Sequence, residues 1–304
     1  MRTRSLVAAL RDRLGVADPL PPPAPLPPIP APPLRVYVPR HAPEPFAKEA
    51  AKHTTALVGI GHVGTRYATD VVLQFQAELA VAHEAVAAEL PDGWFESHDI
   101  LPLRSRAVDH REFLLRPDLG RRLDASSLEL LRARASKSPD VQIILADGLS
   151  AVACMGSGVE LSSLLRAACE SRGLKVGTLV GATRARVWLE DEIGAEVSAR
   201  VAVILLGERP GLGTGDGLSA YLVYEPSLGK TDGDRNMMSN IHARGTPPAD
   251  AAVRLAALAA AMIAQRTSGV SLDLSKVDAP IERGYRAPQV RRRLVDRSSG
   301  GGAR

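Results

Sequence analysis

The chain has 304 residues, 45% of them apolar and 24% charged, which suits one large domain or two ordinary ones. Its longest apolar runs fall far short of the roughly 18 residues that cross a bilayer, so no membrane-spanning helix is expected. The net charge of +4 is a tail property: from Lys276 to Arg304 eight Lys or Arg stand against three Asp or Glu, a net of +5, leaving residues 1–275 at −1, and nucleic acid is not expected as a partner.

Residues 1–18 read as an amphipathic helix. Leu6, Leu10 and Leu14 share one stripe with Val7 beside it, and arginines occupy the other face. Its apolar segment is too short for a secretory core, and Asp12 is atypical of a transit peptide. Residues 19–46 form a spacer with ten prolines between Pro19 and Pro33, which excludes helix and ladder alike. A helix on a semi-rigid tether has the design of a docking peptide.

Residues 47–115 are expected to form a small helical N-terminal domain. Its clearest helix runs over 69–90, with Val72, Phe75, Leu79, Ala82 and Val86 at helical spacing and Thr69 as N-cap. His83 on this helix reads as a polar-edge residue rather than a ligand.

From 116 to 275 strands and helices alternate. Strands are expected over 141–148, 175–181, 200–207 and 218–226. The run 200–207 does not alternate and reads as buried on both faces. A helix over 159–173 carries Gly173 at its end, and one over 246–269 has Thr246 as cap, Pro247 in the first turn and Gly269 at the end. The segment 186–194 is mixed. This order implies an α/β fold, a Rossmann-like parallel sheet with helices on both faces. Cys154 and Cys169 fall in apolar helical contexts and read as buried thiols in a reducing compartment. Residues 276–304 read as a disordered basic tail.

Ligands of open parallel sheets gather at the carboxyl ends of strands. Two loops qualify: "ADGLSAVA" after the first strand and "GERPGLGTGDG", Gly207 to Gly217. Neither is a phosphate loop, since no G-x-x-x-x-G-K-[ST] occurs and the second loop leads into a strand instead of a helix. "NIHARG", Asn240 to Gly245, nearly matches the D-x-H-x-x-G of proteins that bind cobalamin through a histidine. Asn240 replaces the Asp that would orient that imidazole, and the match comes late in the fold. His242 therefore reads as a structural histidine.

Six segments occur in a telling order: "LLRPDLGRRLD" (114–124), "DVQIILADGLSA" (140–151), "GLKVGTLV" (173–180), "RVWLEDEIG" (186–194), "VILLGERPGLG" (203–213) and "DRNMMSNIHARGTPPADAA" (234–252). Together they closely resemble the small subunit of ethanolamine ammonia-lyase, over roughly residues 55–272. The resemblance implies half of an adenosylcobalamin-dependent radical enzyme that converts ethanolamine to acetaldehyde and ammonia. It also implies a large-subunit partner, with the cofactor between the two chains. By position in these motifs, cobalamin contacts fall on Val187, Glu208 and Met237. No catalytic residue and no protein ligand to a metal is expected on this chain, since a cofactor carries the hard step.

Two positions depart from the family pattern. Met237 stands where the family commonly has Cys, and His62, in "GHVGTR", stands where it typically shows Arg, while Arg66 is retained. If the missing Arg braces the subunit interface, His62 weakens it or makes it pH-sensitive. The alternative reading is a divergent, non-catalytic cobalamin-binding or scaffold protein of the same fold. The resemblance and the helix-plus-spacer design together suggest a bacterial cytoplasmic enzyme targeted to a microcompartment shell by its N-terminal helix.

Overall fold

The computed structural model describes Glu49 and residues 62–212, 215–243 and 245–278. The expected N-terminal helix, the Pro-rich spacer and all but three residues of the basic tail lie outside the described residues, as does most of 47–61.

In chain order, a hairpin of His62–Val63 (β1) and Arg66–Tyr67 (β2) precedes helix α1, Thr69–Ala87. Strand β3, Leu101–Arg104, follows, then helices α2, His110–Leu115, and α3, Ala125–Arg134. Asp109 and Asp124 cap these two helices, their side chains accepting the Glu112 and Ser127 N–H groups at 2.7 and 2.6 Å. Strand β4, Val141–Ala146, leads through Ala151–Ala153 (α4) and a π-turn at Cys154–Gly158 into α5, Val159–Ser171. Then come β5, Val180–Thr183, α6, Leu189–Glu196, β6, Val201–Gly207, β7, Leu218–Tyr224, β8, Arg235–Ile241, and α7, Pro248–Gln265.

Six strands form one sheet in the order β3-β5-β4-β6-β7-β8. The first four are mutually parallel. Every residue of β4 and β6 is buried, as their unbroken apolar runs require. Alternate residues of these strands enter two cores. Ile143, Leu145, Val203 and Leu205 face α5 and α7, whereas Ile144, Ala146 and Ile204 face α3 and α6. Helices therefore cover both faces, as expected.

The sheet is mixed rather than wholly parallel, which corrects the expectation. β7 runs antiparallel to β6, and β8 antiparallel to β7. The connections explain this. A parallel return needs a crossover of a dozen or more residues, usually helical, whereas ten residues join β6 to β7 and ten join β7 to β8. The glycine-rich stretch is thus a hairpin connection, closed by the Glu208 N–H donating to the Gly217 carbonyl at 2.9 Å.

Other boundaries also move. The strand expected at 175–181 forms at 180–183, 186–194 is largely helix, and 235–241 is a strand without a sequence signal. β3 lies in the stretch assigned to the helical N-terminal domain, yet it forms the edge of the main sheet beside β5. Ala68, not Thr69, occupies the cap of α1, and Pro247 rather than Thr246 precedes α7. On α1 the buried residues are Val71, Ala82 and Ala85, while Val72, Leu79 and Val86 of the expected stripe are exposed. Cys154 and Cys169 are buried free thiols, and burial pushes the Cys169 thiol up to about 12.

Candidate functional site

The carboxyl ends of β4 and β6 meet in close backbone contact. The Leu149 N–H donates to the Gly207 carbonyl at 2.9 Å. A Cβ on Gly207 would lie 2.3 Å from both the Asp147 and Ser150 carbonyl oxygens, so only glycine fits there. The Ser150 hydroxyl donates to the Gly215 carbonyl at 3.0 Å, tying the hairpin connection to the loop after β4. Both loops singled out from the sequence therefore form one surface.

Beside it, at the ends of β3, β4 and β5, a cavity of about 290 Å³ is lined by Glu89, Arg104, His110, Asp147 and Arg184 among others. Asp147 organises its floor. Arg184, at φ 56°, turns its N–H onto both Asp147 carboxylate oxygens, at 2.7 and 3.0 Å. Burial nonetheless pushes the Asp147 carboxyl up to about 6. A carboxyl that titrates higher in the fold than its ordinary ~3.9 favours folding in its protonated form. That contribution, at most about 3 kcal/mol, is full below pH ~4 and is lost as pH rises through 6. Urea unfolding between about pH 4 and 7 should show this decline in the wild type and a flatter profile in Asp147→Asn.

None of the three residues taken from the motifs lines that cavity. They gather instead on the face of the sheet that carries α6. Met237 lies mid-strand on β8, directly opposite Tyr221 of β7, and is 53% exposed. Tyr221 in turn pairs with Ile204 of β6, and its hydroxyl donates to Glu208 Oε1 at 3.2 Å. Burial first, and then Glu208, pushes the Tyr221 phenol up to about 12, so it stays a donor. Val187 is half-buried at the entrance to α6 and packs, like Tyr221, against the core on that face. Its carbonyl accepts the Glu190 N–H at 3.1 Å.

Tyr221 thus connects Glu208 to Met237, and the sequence reading missed it. The signal was present: "LSAYLVY" places one aromatic hydroxyl mid-way along an aliphatic strand. The surface is also not purely a strand end. Glu208 follows β6 and Val187 follows β5, but Met237 sits on the open sheet face at an edge strand.

A buried ionic network holds this platform in shape. Arg235 Nη2 lies 2.6 Å from Asp191 Oδ2, and Arg235 Nη1 lies 3.2 Å from Glu190 Oε1; all three side chains are almost fully enclosed. Burial pushes the Glu190 carboxyl well above the usual range, against the pull of Arg235. The network joins the first turn of α6, next to Val187, to the start of β8, two residues before Met237. Nearby, Trp188 Nε1 donates to Asp232 Oδ1 at 2.8 Å, and Arg122 pairs with Glu192 at 2.9 Å.

The other singled-out residues have plain settings. His242 is buried, with Nε2 2.7 Å from Asn240 Oδ1, which is the packing of a structural histidine. His83 is exposed on α1. His62 is exposed and stacks on Tyr67 with ring centroids 4.5 Å apart, and Tyr67 meets Phe75 of α1 edge-on at 5.7 Å. Among the described residues no helix is long and apolar enough to cross a membrane.

Residues 44–273 match the family model of the ethanolamine ammonia-lyase light chain (EutC). The matched span takes in β1 to β8, the connection between β6 and β7, and the Arg235 network. It covers well over half of the sequence, and the chain belongs to the ethanolamine ammonia-lyase light-chain family.

Proposed function

We propose that this chain is the small subunit of an adenosylcobalamin-dependent ethanolamine ammonia-lyase, active only with a large subunit and deaminating ethanolamine to acetaldehyde and ammonia. The carrying observation is the family match, combined with the placement of Val187, Glu208 and Met237 on the α6 side of the sheet, where Tyr221 links Glu208 to Met237.

The residues present fit a corrinoid. Such a ligand is broad, nearly flat and ringed with amides. It needs an open face, and the exposed Met237 thioether offers a flexible, polarisable contact on one. It needs acceptors for its amides, and Glu208 keeps lone pairs beyond the one that takes the Tyr221 hydroxyl. The outer edge of β8, at the end of the sheet, can meet further amides with its backbone. Because Met237 replaces a thiol donor, the contact there is one of backbone and van der Waals packing. When bound, the cofactor supplies the radical chemistry. This chain binds and orients it and keeps water from one side. Glu208 fixes the ring edge, and the Arg235 network sets the spacing between Val187 and Met237.

A large subunit closes the other side. The exposed apolar residues of α1, Val72, Leu79 and Val86, supply the kind of surface a permanent interface needs. His62, exposed on the hairpin beside α1, lies next to that surface.

The test is co-expression with a large subunit. The expected result is co-purification, a cobalt-dependent absorption band on adding adenosylcobalamin, and acetaldehyde from ethanolamine only when all three components are present. Glu208→Lys should weaken corrinoid binding by roughly 1–3 kcal/mol, the cost of a lost polar contact. Chains that fail to co-purify would sink the assignment. Corrinoid uptake without turnover would favour the non-catalytic reading, for which the departures at His62 and Met237 leave room.

The N-terminal helix, which lies outside the described residues, is the proposed address for a microcompartment shell. Deleting residues 1–33 should leave activity intact and release the enzyme into the cytosol; fractionation showing unchanged distribution would end that idea.

A further inference from the structure

Three arginines stand around the Val187 and Glu208 side of the platform. Arg186 precedes Val187, Arg209 follows Glu208, and Arg121 arrives from the turn between α2 and α3. The Arg186 N–H donates to the Gly120 carbonyl at 2.8 Å, which seats that turn against the loop before α6. The Arg121 guanidinium lies 4.3 Å over the Trp188 ring, and that of Arg186 lies 4.1 Å over Phe113. Stacking fixes both cations in place without neutralising them.

Nearby acids are engaged elsewhere. Glu208 takes the Tyr221 hydroxyl, Asp232 takes the Trp188 indole N–H, and Asp118 is held by Arg116 at 2.7 Å. None of the three arginines forms an ion pair with a described carboxylate. Arg186 donates one Nη to the Phe113 carbonyl at 2.8 Å, but its buried Nε has no partner. Burial, and then the fields of Arg121 and Arg209, hold Arg186 below the ordinary guanidinium range. Three like charges this close repel one another, and a bound anion would relieve them.

We propose that Arg121, Arg186 and Arg209 form an anion subsite that takes the phosphodiester of the corrinoid's nucleotide arm. This rests on the corrinoid reading above. The ring's periphery is neutral amide, and the phosphodiester is its one anionic group. Guanidinium forks match phosphate oxygens in geometry and charge.

The experiment is equilibrium dialysis of the two-chain complex against three ligands: adenosylcobalamin, adenosylcobinamide phosphate, which keeps a phosphate without the base, and adenosylcobinamide, which has neither. Arg121→Gln and Arg209→Ala should each weaken the two phosphate-bearing ligands by about tenfold or more, the scale of a lost charge-assisted hydrogen bond. Binding of adenosylcobinamide should be unchanged, and Arg209→Lys should recover only part of the loss, since it restores the charge without the fork. Equal weakening of all three ligands, or of none, overturns the subsite while leaving the corrinoid reading intact. Weakened subunit association with unchanged corrinoid affinity would also overturn it, assigning the arginines to an acidic patch on the partner. A wild-type complex that takes up no corrinoid removes the reading and the subsite together.

Discussion

Arg235→Met is expected to lower the unfolding free energy by about 3–5 kcal/mol, because it leaves buried carboxylates without their cation. Arg235 is the shared partner of Glu190 and Asp191, and their side chains are enclosed in the contact between α6 and β8. Removing the guanidinium strands two like charges in a poorly hydrated space. The deficit should shrink as pH falls, since protonation discharges both acids. A triple variant, Arg235→Met with Glu190→Gln and Asp191→Asn, should recover much of the loss, because it removes the charges along with their partner. Urea unfolding followed by circular dichroism checks all three statements. A single variant as stable as the wild type would show that the network contributes nothing. The same substitution should weaken corrinoid binding, because the network holds Val187 and Met237 at a fixed separation.

Gly207→Ala is the second large effect. The added methyl would sit 2.3 Å from two backbone oxygens, those of Asp147 and Ser150, and backbone cannot rotate away. Overpacking of this kind typically costs about 1–3 kcal/mol. The loops after β4 and β6 must part, and Glu208, the next residue, moves with them. A loss of stability and of corrinoid affinity is therefore expected together. Gly233→Ala serves as control: its Cβ would meet only the Thr231 hydroxyl at 3.6 Å, so stability should stay within about 0.5 kcal/mol. An affinity unchanged in Gly207→Ala would detach Glu208 from the site.

Local chemistry made much of the architecture legible. Continuous apolar runs marked β4 and β6 as central strands, since such runs are stable only where both faces are covered. Proline marked the start of α7 and glycine the end of α5, whereas α7 stops at Gln265 with Arg266, at φ 55°, as its C-cap, short of the expected Gly269. Gly173, at φ 76°, sits just past α5 where a left-handed residue ends a helix. Segments whose residues are chosen by partners were not legible. β8 reads Arg-Asn-Met-Met-Ser-Asn-Ile, with no apolar run, and is held by its pairing with β7 and by Arg235. The segment 186–194 read only as mixed, yet it is largely helix, and its acids Glu190, Asp191 and Glu192 are all buried, each against an arginine distant in sequence.

For the site, motif order in the sequence pointed to Val187, Glu208 and Met237, because short-range patterns survive without knowledge of the fold. The sequence by itself determined the central strands β4 and β6, the helices α5 and α7, the absence of a phosphate loop and the resemblance to a light chain. Only the tertiary structure decided that the sheet turns antiparallel after β6, that Tyr221 links Glu208 to Met237, and that three arginines converge there. Each of these depends on strand register or on contacts between residues far apart in sequence. Hydrophobic periodicity records which face a residue buries, but not which neighbour meets it there.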